Sequence, residues 1–179
     1  MPATTRVALI ALALLLSACS SRAPSPQPGY TPPVSSSSYQ GGAEDVLFRA
    51  LGLVGTPYRW GGNTPDSGFD CSGFIGYLFK EELGMQLPRS SRDMINIDAP
   101  LVSRDDLEPG DLLFFSTSGR NRVSHAGIYM GDNQFIHSSS SRSGGVRVDS
   151  LDDRYWSRTF IEAKRALALA PSESVVRHP

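Results

Sequence analysis

Cysteine and histidine are scarce in this chain of 179 residues: two cysteines, Cys19 and Cys71, and three histidines, His125, His137 and His178. Two cysteines in an exported chain ordinarily suggest a disulfide, but the local context of Cys19 overrides that reading. Neither sign of charge is in excess. Seventeen basic and 18 acidic residues leave a net charge of -1 with no basic run or stripe. That excludes nucleic acid and an anionic membrane surface as the main partner. No apolar run is long enough to cross a bilayer, since Val7–Leu16 stops at ten residues and a spanning helix needs about 20. Internal repeats are absent too. With 40% hydrophobic and 20% charged residues, the chain suits one compact domain plus accessories.

What is present begins with a leader. Arg6 and the apolar Val7–Leu16 form the n- and h-regions of a signal peptide over residues 1–18. It ends Leu16-Ser17-Ala18-Cys19, which resembles the lipobox of bacterial lipoproteins. The resemblance implies cleavage before Cys19 and acylation of that residue, giving stable anchoring to outer-membrane lipid. Ser20, where an Asp would signal inner-membrane retention, points to the periplasmic face of the outer membrane. Residues 20–42 hold seven Ser, five Pro and three Gly, so 19–42 reads as a lipidated cysteine and a tether. Extended at about 3.1 Å per residue, the tether reaches on the order of 70 Å, enough to work on a polymer near the membrane.

The folded domain is expected over residues 43–165. Val46, Leu47, Ala50, Leu51 and Val54 give helical periodicity over 44–54, and Gly55-Thr56-Pro57 ends it. Residues 58–68 read as a loop. Cys71, Phe74, Ile75 and Leu78 recur at i, i+3, i+4 and i+7, with Asp70 as N-cap and Gly84 in the stop position. One helical turn near 92–97 follows. Strands are expected at 112–115, 123–130, 134–138, 146–148 and 159–164, with a hairpin at Gly131-Asp132-Asn133. Residues 166–179 read as a tail and His178 as solvated. Helices followed by a run of antiparallel strands make an α+β fold, with the cysteine-bearing helix packed on the sheet.

Chemistry concentrates in three of these residues. A helix N-terminus favours anions, so the position of Cys71 is expected to lower its thiol pKa. His125 and His137 lie on the two strands of the proposed hairpin. A register whose loop is Met130–Asp132 sets them directly opposite, close enough for one imidazole to hydrogen-bond the other. A register one residue off separates them onto two faces. Cys71 as nucleophile, His125 as base and His137 as orienting group are the parts of acyl transfer, with the Cys71 N–H as oxyanion donor. A neutral histidine stabilises imidazolium less than a carboxylate does, so His137 is expected to matter less than the other two. The alternatives are packed histidines without function, and a zinc site of Cys71, His125 and His137, whose spacing lacks close-paired ligands.

Six motifs then occur in a fixed order: Tyr58-Arg59-Trp60-Gly61-Gly62, Phe69-Asp70-Cys71-Ser72-Gly73-Phe74, Leu87-Pro88-Arg89-Ser90-Ser91, Pro109-Gly110-Asp111-Leu112-Leu113-Phe114-Phe115, Ser124-His125-Ala126-Gly127-Ile128-Tyr129 and Phe135-Ile136-His137. Together they resemble the NlpC-type cell-wall cysteine peptidases over residues 43–165, with a layout similar to Spr-type murein endopeptidases. The resemblance implies a papain-like α+β fold and hydrolysis of peptidoglycan stem peptides, without metal or cofactor. The expected bond is the D-alanyl–meso-diaminopimelate cross-link, the alternative γ-D-glutamyl–diaminopimelate. It implies Cys71, His125 and His137 as catalytic residues, and Tyr58, Asp70 and Ser72 as substrate contacts. Arg89 is a candidate grip on a substrate carboxylate, Asp70 equally a helix cap, and Gly73 and Gly76 allowances for close helix–sheet packing. No SH3-like or LysM-like segment accompanies the domain, so the tether is expected to supply localisation. Two rivals remain open: a non-catalytic wall-binding lipoprotein, and another papain-like acyl chemistry such as an amidase or lipid acyltransferase.

Overall fold

In the computed structural model of the protein, the described residues are 37–119, 122–140 and 144–171. The leader, Cys19 and most of the tether lie outside them, as does His178. Among the described residues no helix is long and apolar enough to cross a membrane.

Helix α1 spans Ser37–Leu51, so it begins inside the stretch expected as tether. Ser- and Gly-rich composition argues against an isolated helix. Once Ala43, Val46 and Ala50 are buried, however, each residue added at the N-terminus costs only propagation, not nucleation. Residues 58–68 are not all loop: Asn63–Thr64 (β1) and Gly68–Phe69 (β2) pair as a short ribbon. Helix α2, Cys71–Leu83, then starts and stops where its cap residues dictate. The Asp70 side chain accepts from Gly73 N, and Gly84 closes the helix in the left-handed region at φ 64°. The one-turn helix α3 is Ser91–Met94.

The remaining strands are Leu101–Val102 (β3), Leu112–Phe115 (β4), His125–Gly131 (β5), Gln134–Ser139 (β6), Gly145–Ser150 (β7) and Phe160–Lys164 (β8). They form one antiparallel sheet in the order β3-β8-β4-β5-β6-β7. Strand alternation gives the sheet two apolar faces. Leu112, Phe114, Ala126, Ile128, Ile136 and Val146 pack with Val46 and Ala50 of α1 and Phe74, Ile75, Leu78 and Phe79 of α2. Leu113, Phe115, Tyr129, Phe135 and Ala163 face the other way and gather Leu151 and Trp156. Trp156 belongs to helix α4, Arg154–Thr159, which the sequence reading does not anticipate.

The expected tail is corrected as well. Residues Ala166–Leu169 form a 3-10 turn, and Ala166 and Leu167 are buried in the helix-side core, so folded structure continues past 165. Arg165, just before that turn, clamps the buried Asp111 carboxylate through Nε at 3.0 Å and Nη2 at 3.1 Å.

Gly76 does not serve close packing, because a Cβ there would meet nothing within 4 Å. Gly73 does, but against a loop rather than the sheet: its Cβ would overlap the carbonyl oxygen of Gly62.

Candidate active site

Helix α2 offers Cys71 at its first position, and Asp70 fixes that end of the helix. Asp70 Oδ1 accepts from Gly73 N at 2.7 Å and Oδ2 from Gly61 N at 3.0 Å. Arg89 closes on the same carboxylate from the far side, Nη1 to Oδ1 at 2.9 Å and Nη2 to Oδ2 at 2.7 Å. Ser72 Oγ also donates to Oδ1, at 3.2 Å, and accepts from Arg89 Nη1 at 3.0 Å. The structure therefore brings Asp70, Ser72 and Arg89 together, and the carboxylate that Arg89 grips in bidentate fashion is one of the chain's own. Burial works against the Asp70 charge, but Arg89 and the Gly73 and Gly61 amides outweigh it and hold the carboxyl below its usual range. Tyr58 adjoins this cluster. Burial first, then the proximity of Cys71 and Asp70, pushes its phenol up.

The thiol departs from the expectation for a helix N-terminus. Burial pushes the Cys71 pKa up, not down, and the Asp70 charge adds to the rise. The backbone N–H groups of Ala126, Ser72 and Cys71 itself oppose the shift without overcoming it. The influence of the Ala126 amide places the thiol near the start of strand β5.

The histidines take the other face of the sheet, among Phe115, Phe135 and Trp156. They are not directly opposed. Ile128 pairs with Ile136 and Tyr129 with Phe135, which sets His137 across from Gly127, diagonal to His125. The expected register is off by two residues, so the shared face survives and only the partner changes. The rings meet edge to face with centroids 4.9 Å apart, and His125 Nε2 lies 2.7 Å from His137 Nδ1. Facing nitrogens in hydrogen-bond contact leave no room for an ion between them. Among the described residues, no three His, Cys, Asp or Glu side chains converge as metal ligands.

The line has a fourth member that sequence reasoning missed. His137 Nε2 lies 3.1 Å from Asp149 Oδ2 on β7. Asp149 also accepts from Trp156 Nε1 at 3.0 Å and from Arg147 Nε at 2.9 Å, and Arg147 Nη2 closes on the same Oδ1. Burial opposes the Asp149 charge, but His137 and Arg147 hold the carboxyl below its usual range. Because Nε2 of His125 is occupied by His137, Nδ1 is the ring nitrogen of His125 that remains.

Burial, and then the neighbouring His137, lowers the His125 pKa from 6.5 to about 3, with Asp149 opposing. Burial also lowers that of His137. Burial thus favours the neutral forms of the thiol and of both imidazoles. The same burial makes stability pH-dependent. Between about 3 and 6.5 the unfolded chain protonates this histidine and the fold does not. The contribution is therefore complete above 6.5 and is lost as pH falls, at about 1.4 kcal/mol per pH unit for one group. Thermal unfolding is expected to show a lower midpoint at pH 4.5 than at pH 7. An unchanged midpoint contradicts a buried neutral imidazole.

Beside His125 opens a cavity of ≈ 550 Å³ lined by His125, Arg147, Asp149, Asp153, Tyr155 and Trp156, with hydroxyls from Thr117, Ser139, Ser140 and Ser150. Charges of both signs and aromatic edges make it suited to a polar, zwitterionic group.

The chain is similar to proteins of stated activity. Murein DD-endopeptidase MepH of Escherichia coli is 40% identical over 124 residues, 68% of this chain and 45% of that protein. Gamma-DL-glutamyl hydrolase of Bacillus subtilis is 39% identical over 120 residues, 67% of this chain and 28% of that one. The chain thus spans less than half the length of either. The crystal structure of an NlpC/P60 family protein from Bacillus cereus superposes with a TM-score of 0.64 at 32% identity, over 70% of this chain and 40% of that one. The family model for NlpC/P60 covers residues 55–165, a span that holds the Cys71 helix, both sheet histidines and Asp149, and this chain belongs to the NlpC/P60 family.

Proposed function

We propose that this protein is a cysteine endopeptidase that opens stem-peptide bonds of peptidoglycan, held by acylated Cys19 at the periplasmic face of the outer membrane. The observation that carries the proposal is the hydrogen-bonded line His125–His137–Asp149, at 2.7 and 3.1 Å. It begins at His125, the residue before Ala126, whose amide is among the groups that act to lower the Cys71 pKa.

Cys71 Sγ attacks the peptide carbonyl carbon while His125 Nδ1 takes the thiol proton. The Cys71 N–H, left without a helical acceptor at the start of α2, donates to the oxyanion. Collapse expels the amine half, which His125 protonates, and leaves a thioester. Water, deprotonated by His125, then attacks the thioester, releases the carboxylic acid and restores the thiol.

The polar cavity beside His125 suits an amine half that carries both an amino group and carboxylates, as diaminopimelate does. We assign the D-alanyl–meso-diaminopimelate cross-link as the bond cut, in keeping with the activity named for MepH. The γ-D-glutamyl–diaminopimelate bond joins the same residue through its other amino group, so contacts on either side of the bond can separate the two. Arg89, Asp70 and Ser72, bound to one another, act on substrate by holding the nucleophile helix in place, and Tyr58 stands beside the thiol.

Mass spectrometry of digests of purified muropeptide dimers and of tripeptide monomers tests the reading. Dimers are expected to yield monomers while tripeptides stay intact. Cleavage of tripeptides alone moves the assignment to the γ-D-glutamyl bond, and neither product leaves a wall-binding module.

A further inference from the structure

The geometry points to Asp149 as a positioning residue that fixes the tautomers of both histidines, so that His125 presents a bare Nδ1 to Cys71. This deepens the proposed function and rests on it.

The argument is one of donors and acceptors. An ionised carboxylate can only accept. Asp149 Oδ2, 3.1 Å from His137 Nε2, therefore requires the proton of neutral His137 to sit on Nε2. His137 Nδ1 is then a lone pair, and at 2.7 Å from His125 Nε2 it requires the proton of His125 to sit on Nε2. One nitrogen remains, His125 Nδ1, and it is left with a lone pair, the form a general base needs. The carboxylate dictates a tautomer two residues away.

Asp149 is itself held in one pose. Oδ2 takes the Trp156 indole N–H at 3.0 Å, and Oδ1 takes Arg147 Nε at 2.9 Å and the same guanidinium's Nη2. The charged and titratable groups that face it are His137 from β6 and Arg147 from its own strand, while α4 presents only the neutral indole. Trp156 also stacks against His125, ring centroids 5.4 Å apart, and meets His137 edge-on at 4.9 Å. The ring planes, and not only the protons, are thereby set. When His125 becomes imidazolium during attack, the negative end of the line lies in position to stabilise it through His137. A bare histidine as third member does not provide this.

The test uses Asp149→Asn, which preserves size and an oxygen acceptor for Arg147 and places an N–H where Oδ2 met His137 Nε2, at the loss of the acceptor for the Trp156 indole N–H. That N–H inverts the line: His137 then carries its proton on Nδ1, donates to His125 Nε2, and His125 Nδ1 becomes the protonated nitrogen. Ring ¹⁵N shifts of the histidines at pH 7 read this directly, without substrate. Wild type is expected to show His125 protonated on Nε2 and the variant to show it on Nδ1. On muropeptide dimers the variant is expected to lose roughly 10²-fold or more in kcat. Asp149→Glu is expected to recover part of the loss.

Wild-type His125 protonated on Nδ1, or Asp149→Asn with kcat within threefold of wild type, overturns the assignment. Failure of the endopeptidase reading itself shows separately, as wild-type protein inert on every muropeptide with the expected tautomers still in place.

Discussion

Cys71→Ala is expected to abolish peptidoglycan hydrolysis, by on the order of 10⁵-fold or more, with the fold intact. No other described thiol exists to take over, since Cys71 is the free cysteine of the described residues. The neighbouring groups are a phenol pushed up by burial and a carboxylate already bonded to Arg89, Gly61, Gly73 and Ser72. Neither can form the acyl intermediate. The substitution removes one sulfur from the first helical turn and touches no cap bond, so circular dichroism and the thermal midpoint should match wild type. Retained hydrolysis at even a tenth of the wild-type rate ends the nucleophile assignment. The raised thiol pKa adds a second reading of the same residue. Iodoacetamide should alkylate the resting enzyme slowly at neutral pH and faster as pH rises above about 8.5. Rapid alkylation at pH 6 would show a preformed thiolate.

Gly73→Ala is expected to cost about 3 kcal/mol or more of stability and to take activity with it. The methyl group would overlap the Gly62 carbonyl oxygen, which is backbone and cannot rotate away. That oxygen has two further claims on it, from Asp70 N at 3.0 Å and Arg89 Nη2 at 3.4 Å. Gly62 is pinned in turn, because a Cβ there would overlap the Gly68 carbonyl. Relief therefore requires the nucleophile helix to lift off the 59–62 turn, carrying Cys71 with it. Gly76→Ala, on the same helix in open space, is the control and should stabilise slightly through helix propensity. Equal midpoints for the two variants contradict the interlock.

Legibility followed how local each feature is. The nucleophile helix was readable because Asp70 and Gly84 are punctuation marks within its own sequence, and both act as caps. Strand β4 was readable because Leu112–Phe115 is four consecutive apolar residues between turns, buried on both faces. The thiol pKa was not: a helix N-terminus can be read from spacing, whereas burial depends on what the rest of the chain places on top. Helix α4 has only six residues, too few for a periodic pattern. Asp149 was missed for a related reason. It reaches His137 only through the β6–β7 pairing, in which His137 faces Arg147 and Phe135 faces Asp149. The intervening stretch, ending Ser143-Gly144-Gly145, signals a turn but is too long to fix that register by itself. The alternation Arg147-Val148-Asp149 was the one available hint that a carboxylate shares a face with a cation beside the histidine strand.

The β5–β6 hairpin carries a consequence for how this chain can change length. Its turn is Asp132-Asn133, at φ 50° and 55°, closed by Gly131 opposite Gln134. Carried inward without interruption, that pairing would set His137 opposite Ile128 and send the two imidazoles to opposite sides. The register instead shifts between Tyr129 and Gly131, leaving Met130 as the extra residue that restores their common side. The common side of the two histidines is thus a matter of odd and even within the strands. Insertions or deletions within the paired strands preserve it in twos or with the gain or loss of a bulge, whereas a change confined to the Asp132-Asn133 turn alters only loop length.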